Sequence, residues 1–445
     1  MSGLVGGMRG AIAAGHPLTA AAGAAVLEAG GNAVDACVAA AFMSWVCESM
    51  LTGPGGGGFF LVHAGGETVV FDAFVAVPRA RAESELFALP VDFDGDTQQV
   101  FHTGPGAVGV PGTALGLEAA HRRFGSLDWA ALAAPAAAAA RAGVELTPAQ
   151  GYLHKILDGL LRHSPEGDAM YGGRMLCAGE IFRLPELADT IERIATHGAR
   201  VIDADLPFSR EELDSYAVVE REPVEVSFRG AEFWSNPPPS SGGTLIALGL
   251  EALAGGADVV RALEVMEDAR VPSVGGTTHI SVVDAAGDAA SLSCSLGSGS
   301  GVVVPGTGIH LNNMLGEADL IGAARPGERL TSMMAPSLVL GGGRPRLVVG
   351  SAGSERLRAA ILQVVWNVVA RGMGVEEAVE APRVHVDEAR VVYAEPGAEV
   401  EREDVVRFGR TNLFFGGVSA VELLADGSLS AAGDPRRGGA GVVVR

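Results

Sequence analysis

Hydrophobic positions change period several times along this chain, and each change marks an element. From Leu18 to Ala29 and from Ala33 to Val46 small apolar residues recur at helical spacing, and the joining Gly-Gly-Asn places Asn32 to cap the second helix. The stretch GPGGGGFFLVHAGGETVVFDAF then carries two apolar runs around Gly65-Gly66, the signature of a hairpin. Helical periodicity returns in ALGLEAAHRRFG, WAALAAPAAAAARAG and LPELADTIERIATHG, the last closed by a glycine after His197. The segment from Leu213 reads as strands and a proline-rich bend that leads into a helix over Leu245 to Leu253. After Thr277 strands dominate, with hairpin turns at DAAGD and ADGS and one helix from Arg358 to Arg371. Helices and strands are mixed throughout, with no Pro/Ser linker long enough to part domains, so the pattern predicts one layered unit.

Composition narrows the function classes. The chain has 445 residues, 48% of them hydrophobic, enough for a large core. Its net charge is −21 with a single lysine, Lys155, which argues against nucleic acid or an anionic membrane as partner. The Ala-rich run from Pro17 to Trp45 is broken by Glu28, Asn32 and Asp35 and is not a membrane span. Cys37, Cys47, Cys177 and Cys294 form no CxxC pair and read as buried thiols of a reducing compartment. The opening MSGLVGGMRGAIAAGHPL has glycines where a secretory apolar core belongs, which predicts a cytoplasmic protein. No HExxH or clustered His/Cys spacing calls for a metal or other cofactor. GPGGGG lacks the Lys-Ser/Thr of a phosphate loop and reads as a tight turn or a close strand contact.

One junction carries candidate chemistry. In VGGTTHISVVDAAGDAASLSCSL a turn-forming Gly-Gly-Thr-Thr runs straight into a strand. A mid-chain threonine hydroxyl is a poor nucleophile because nothing takes its proton. If the bond before it is cut, the freed α-amine, with a pKa of roughly 7.7–8, serves as the base on the same residue. Gly276 before Thr277 suits the strained turn that such a cut requires. GGTT alone also fits an ordinary loop.

The surrounding blocks decide. TTHISVVDAAGD followed by SGVVVPGTGIHLNN resembles the start of the small subunit of γ-glutamyltranspeptidases, members of the N-terminal-nucleophile hydrolases. GGNAVDACVAAAF, GPGGGGFFLV, GVPGTALGLEAAHRRFG, NPPPSSGGT, APSLVL, EAPRVHVD and GDPRRGG resemble that family's blocks in its order, nearly end to end. The resemblance implies an α+β fold, a four-layer αββα sandwich. It also implies a precursor that cuts itself between Gly276 and Thr277, so that segments 1–276 and 277–445 become two intertwined subunits of a heterodimer.

The resemblance further implies Thr277 as nucleophile and Ser295, eighteen residues on, as the hydroxyl that orients it. Thr278 and His279 follow as in the family. The oxyanion donors align with Gly353 and Ser354, where the family has two glycines. The acyl grip departs more. The family's carboxylate-binding arginine aligns with Phe74, its asparagine with Gly297, its glutamine with Met314 and its amine-binding acid with Glu317. Its paired serines become Thr331 and Ser332. Arg79 or Arg81 is a substitute for the lost arginine only if it reaches in from the surface. The reading is therefore an autoprocessing amide hydrolase with a rewritten acyl pocket, taking a small-molecule amide or peptide-like substrate. The alternatives are a true γ-glutamyltranspeptidase, a carbon–carbon bond hydrolase of a natural-product pathway, and an unprocessed pseudoenzyme.

Overall fold

In the computed structural model, residues 7–79, 86–92, 98–200, 206–270, 277–316 and 325–445 are described. Two antiparallel sheets face each other at its centre. The first has seven strands in the order Ala440–Val444, Gly10–Ala14, Thr278–Asp284, Ala289–Ser295, Gly57–Ala64, Glu67–Ala73 and Val219–Arg221. The second has six, in the order Leu429–Gly433, Gly417–Leu423, Arg344–Ala352, Ser337–Gly341, Ala231–Ser235 and Val224–Phe228. Strands from before and after position 276 alternate in the first sheet and meet in the second.

Period-two alternation builds the layers. Phe59 and Leu61 enter one apolar core with the second sheet, while Phe60 and Val62 enter another with the outer helices. Helices Pro17–Glu28 and Ala33–Cys47 cover the first sheet, and Gly242–Ala254 with Leu357–Val369 cover the second, completing the expected αββα sandwich. Ala33–Cys47 is buried on every side, which explains its run of small residues. Asn32 caps it in a reciprocal box with Asp35. The Gly57–Ala64/Glu67–Ala73 hairpin turns at Gly65 and Gly66, with φ of 60° and 84°.

The sequence pattern did not signal strand Gly10–Ala14, because both of its faces are buried and GAIAA shows no alternation. The thiol expectation needs one correction: Cys37, Cys47 and Cys294 are buried, but Cys177 is exposed in a turn beyond any core element. Among the described residues no helix is long and apolar enough to cross a membrane, and no group of three His, Cys, Asp or Glu side chains could hold a metal ion.

Candidate active site

Thr277 immediately precedes strand Thr278–Asp284, an interior strand of the first sheet, and is fully buried, with no hydrogen-bond partner for its hydroxyl. A pocket opens on it, and Gly15, His16, Glu48, Gln150, Thr278 and Arg437 are among its walls. Extending the register that pairs Thr278 with Cys294 sets Thr277 opposite Ser295. In the uncut chain the Ser295 hydroxyl accepts instead from the N–H of Gly297 at 2.7 Å.

Glu48, just past the end of the buried helix, organises one wall. Its carboxylate accepts from the Thr278 hydroxyl at 2.6 Å and from the Thr19 hydroxyl at 2.8 Å. Gly15 is needed beside it, since a Cβ there would stand 2.8 Å from Glu48 Oε2 and 3.0 Å from Thr278 Oγ1. Burial raises the Glu48 pKa, against the two hydroxyl bonds and the charge of Arg437. Glu48 therefore anchors Thr278, the residue next to Thr277. His279 plays a different part: its ring bonds Ser293 (2.8 Å) and Ser281 (3.0 Å) between the sheets, over a facing Gly350 with no room for a Cβ. Burial lowers its pKa to about 3, so it is a neutral structural group.

The loop GDPRRGG forms the opposite wall. Asp434 pairs with Arg383 at 2.6 Å and with Arg436 at 3.2 Å, and Arg436 also pairs with Glu395 at 2.5 Å, all of them buried. This network fixes the loop and directs the next arginine, Arg437, into the pocket with its stem across Gly417. Burial, with repulsion from Arg356, lowers the Arg437 pKa to about 10, so the guanidinium stays charged at neutral pH. A Cβ on Gly353 would lie 3.5 Å from Arg437 Nη2, which sets the guanidinium beside the turn aligned with the oxyanion donors. That turn joins strand Arg344–Ala352 to helix Leu357–Val369. Gly353 takes φ 129°, and Ser354 holds φ 54° despite its Cβ.

The residues aligned with the acyl grip lie elsewhere. Phe74 is fully buried between the sheets, stacked on Phe59 at 5.3 Å, and Met314 belongs to the same core. Neither lines the Thr277 pocket, so these two aligned positions do not form its walls. Gly297 takes φ 72°, where a Cβ would collide with Asn313 Oδ1. The Ser332 carbonyl accepts from the Ser241 N–H and the Ser240 hydroxyl, both at 2.8 Å, and half-buried Thr331 precedes it; both stand outside the pocket walls. Arg79 is exposed. The guanidinium that reaches the Phe74 carbonyl belongs to Arg329, which also bonds the Ala217 carbonyl and lies over Tyr216. Gly276, Glu317 and Arg81 fall outside the described residues.

Glu48, His16, Gln150 and Arg437 are site residues that motif alignment missed. A lone acid closing an apolar helix, in AFMSWVCESM, and the doubled arginine of GDPRRGG were the available signals.

Comparison with known proteins agrees with this geometry. The chain is 31% identical to the glutathione hydrolase proenzyme of Pseudomonas aeruginosa, over 98% of this chain and 95% of that protein. It is 30% identical to the acylase ACY 1 proenzyme of Pseudomonas sp. strain SE83, over 98% and 94%. The cephalosporin acylase structure from Bacillus halodurans shares the fold, with a TM-score of 0.86 at 24% identity over 99% of this chain and 97% of that one. The family profile described as gamma-glutamyltranspeptidase matches residues 19–203 and 261–444. With these matches and the αββα sandwich of an N-terminal-nucleophile hydrolase, the chain belongs to the gamma-glutamyltranspeptidase family of hydrolases and acyltransferases.

Proposed function

We propose that the protein cuts itself before Thr277 and then hydrolyses an amide whose acyl group is not γ-glutamyl. The observation that carries this reading is the buried, unpartnered Thr277 hydroxyl just before strand Thr278–Asp284, facing a pocket walled by Glu48 and Arg437. In processing, Thr277 Oγ1 attacks the Gly276 carbonyl carbon, the peptide C–N bond breaks as the ester forms, and water cleaves the ester. The products are a carboxylate at Gly276 and a free amine at Thr277. In turnover that amine takes the hydroxyl proton, Oγ1 adds to the substrate carbonyl, and backbone donors at Gly353–Ser354 receive the oxyanion. The proton then passes to the departing amine, and water releases the acyl group from Thr277.

Segments 1–276 and 277–445 would remain one heterodimer, because their strands interleave in the first sheet and pair in the second. The cytoplasmic location expected from the sequence belongs to this same reading. Phe74 in the place of the family's arginine supports a different acyl group, since a phenyl ring cannot pair a carboxylate. A second reading, a true glutathione hydrolase, is favoured by the name of the Pseudomonas aeruginosa relative. Mass-spectrometric screening of processed protein against γ-glutamyl, oxamoyl and aminoacyl amides separates the two. Preferred release of glutamate from γ-glutamyl amides would establish the second.

A further inference from the structure

The turn aligned with the oxyanion donors is held in a strained shape. Ser354 takes φ 54°, a left-handed conformation that its Cβ disfavours, and Gly353 before it takes φ 129°. Neither the single helical turn Ser354–Arg356 nor the helix Leu357–Val369 that follows has a side-chain cap to fix it. Arg356 supplies two ties instead. Its N–H donates to the Gly353 carbonyl at 3.1 Å and closes the turn on itself. Its half-buried side chain crosses to a separate loop, where Nε donates to the Phe414 carbonyl at 3.1 Å and the guanidinium lies 4.7 Å from the centre of the Phe414 ring.

That loop is a firm anchor. The Phe414 ring stacks on Phe408 at 5.2 Å and meets Tyr393 at 5.1 Å, while the Asn412 side chain accepts from the Phe414 N–H at 2.9 Å. Arg383, already paired with Asp434, donates to the Phe415 carbonyl at 3.2 Å, and Glu395, paired with Arg436, accepts from the Asn412 N–H at 3.1 Å. The ionic network that directs Arg437 into the pocket therefore also fixes the surface on which Arg356 rests. The same loop reaches the nucleophile: Leu413 lines the Thr277 pocket, and a Cβ on Gly353 would stand 2.6 Å from the Gly416 Cα. Glu355 adds an ion pair with Arg270 at 3.1 Å, which ties the turn to the end of helix Val259–Asp268 and not to this loop.

We propose that Arg356 is a positioning residue for the amide reaction: by clamping the turn to Phe414 it holds the Ser354 backbone left-handed, so that the donors at Gly353–Ser354 stay aimed at the developing oxyanion. The proposal deepens the functional reading and rests on Thr277 as the nucleophile. It turns on the serine that stands where the resemblance gives a glycine. A glycine holds this conformation without strain, whereas Ser354 needs the clamp, so what Arg356 contributes depends on the Ser354 side chain.

The test is a double-mutant cycle on purified protein, with its processing state scored on a denaturing gel and γ-glutamyl, glutaryl and acetyl p-nitroanilides as probes. On the probe that wild type turns over fastest, Arg356→Met should lower kcat by about tenfold or more and change KM less than about twofold, because the turn acts on the transition state. In the Ser354→Gly background the same change should lower kcat less than about threefold. Arg356→Lys keeps a charge near the ring but loses the Nε bond, so its loss should be intermediate; it carries the cycle if Arg356→Met does not fold. Equal losses in the two backgrounds overturn the proposal, and so does a loss confined to KM or no loss at all. If the chain stays uncut or no probe is turned over, the functional reading fails separately, and hydrogen–deuterium exchange of the full chain decides this one. Arg356→Met should speed exchange of the amides from Gly353 to Leu357 at least about tenfold, and less than about threefold in the Ser354→Gly background. Unchanged exchange, or an equal change in both backgrounds, overturns it.

Discussion

Two regions of the fold have opposite chemistry. On the Glu48–Arg437 side, polar side chains are held by a buried ionic loop and a capped helix, and several still offer unmet donors. On the Phe74–Met314 side, aromatic and sulfur-bearing side chains close a dry core between the sheets. An alignment of motifs looks for the acyl grip on the second side, where the family's arginine belongs. The packing puts the polar surface facing Thr277 on the first. At the position the resemblance gives to an arginine, the phenyl ring of Phe74 is part of that core.

The sharpest way to break the comparison is at Thr277 itself. Thr277→Ala should abolish self-cleavage and amide turnover together, because one hydroxyl serves both steps; intact mass and a turnover assay on the same sample check it.

Next in size is Phe74→Arg. Restoring the family's residue should fail to restore γ-glutamyl activity and should destabilise the fold by about 3–5 kcal/mol, since the guanidinium would enter the inter-sheet core unpaired. Urea midpoints read the loss, and a stable variant with γ-glutamyl activity would show the Phe74 side to be open to substrate. Wild type itself should turn over γ-glutamyl-p-nitroanilide at least about a hundredfold less well than a typical relative, the consequence of losing roughly 3 kcal/mol of binding.

Ser295→Ala should slow processing or turnover by about tenfold to a hundredfold with the fold intact, on the view that the hydroxyl turns from Gly297 to Thr277 once the chain is cut. An unchanged rate in both steps would leave Ser295 as a cap for the Gly297 N–H.

A last effect is graded with pH. Burial lowers His16, His154 and His310 to about 4 and His279 to about 3 from 6.5, so the unfolded chain binds their protons first as pH falls. Their stabilising contribution is complete above about pH 6.5 and declines toward pH 4, at up to about 1.4 kcal/mol per pH unit for each histidine. Urea titrations at pH 7 and 5 should show the loss. His16→Asn should remove part of the slope, which assigns that part to the polar side of the comparison.

What the sequence disclosed follows the same divide. Local signals were enough for the Asn32 cap, the Gly65-Gly66 hairpin and the outer helices, because each is written in neighbouring residues. The pocket's donors were hidden because their meaning depends on pairing across the fold. Arg436 and Arg437 are adjacent in GDPRRGG, yet the first is held by Glu395 and Asp434 while the second lines the Thr277 pocket with its buried Nε unpartnered. Gln150 closes the capping box of its helix and also lines the pocket, and only the bond from Thr147 reveals which of its amide atoms turns inward. Strand Gly10–Ala14 was invisible for a simpler reason: five small residues buried on both faces have no period.

The central claim is that a cut before Thr277 creates the catalytic amine, and the N-terminus of the smaller fragment tests it most directly. Intact-mass analysis with N-terminal sequencing of purified wild type should give two chains, 1–276 and 277–445, the second beginning at a free Thr277, with Thr277→Ala remaining whole. A wild-type chain that stays full-length after long incubation and still turns over its amide substrate would contradict the account.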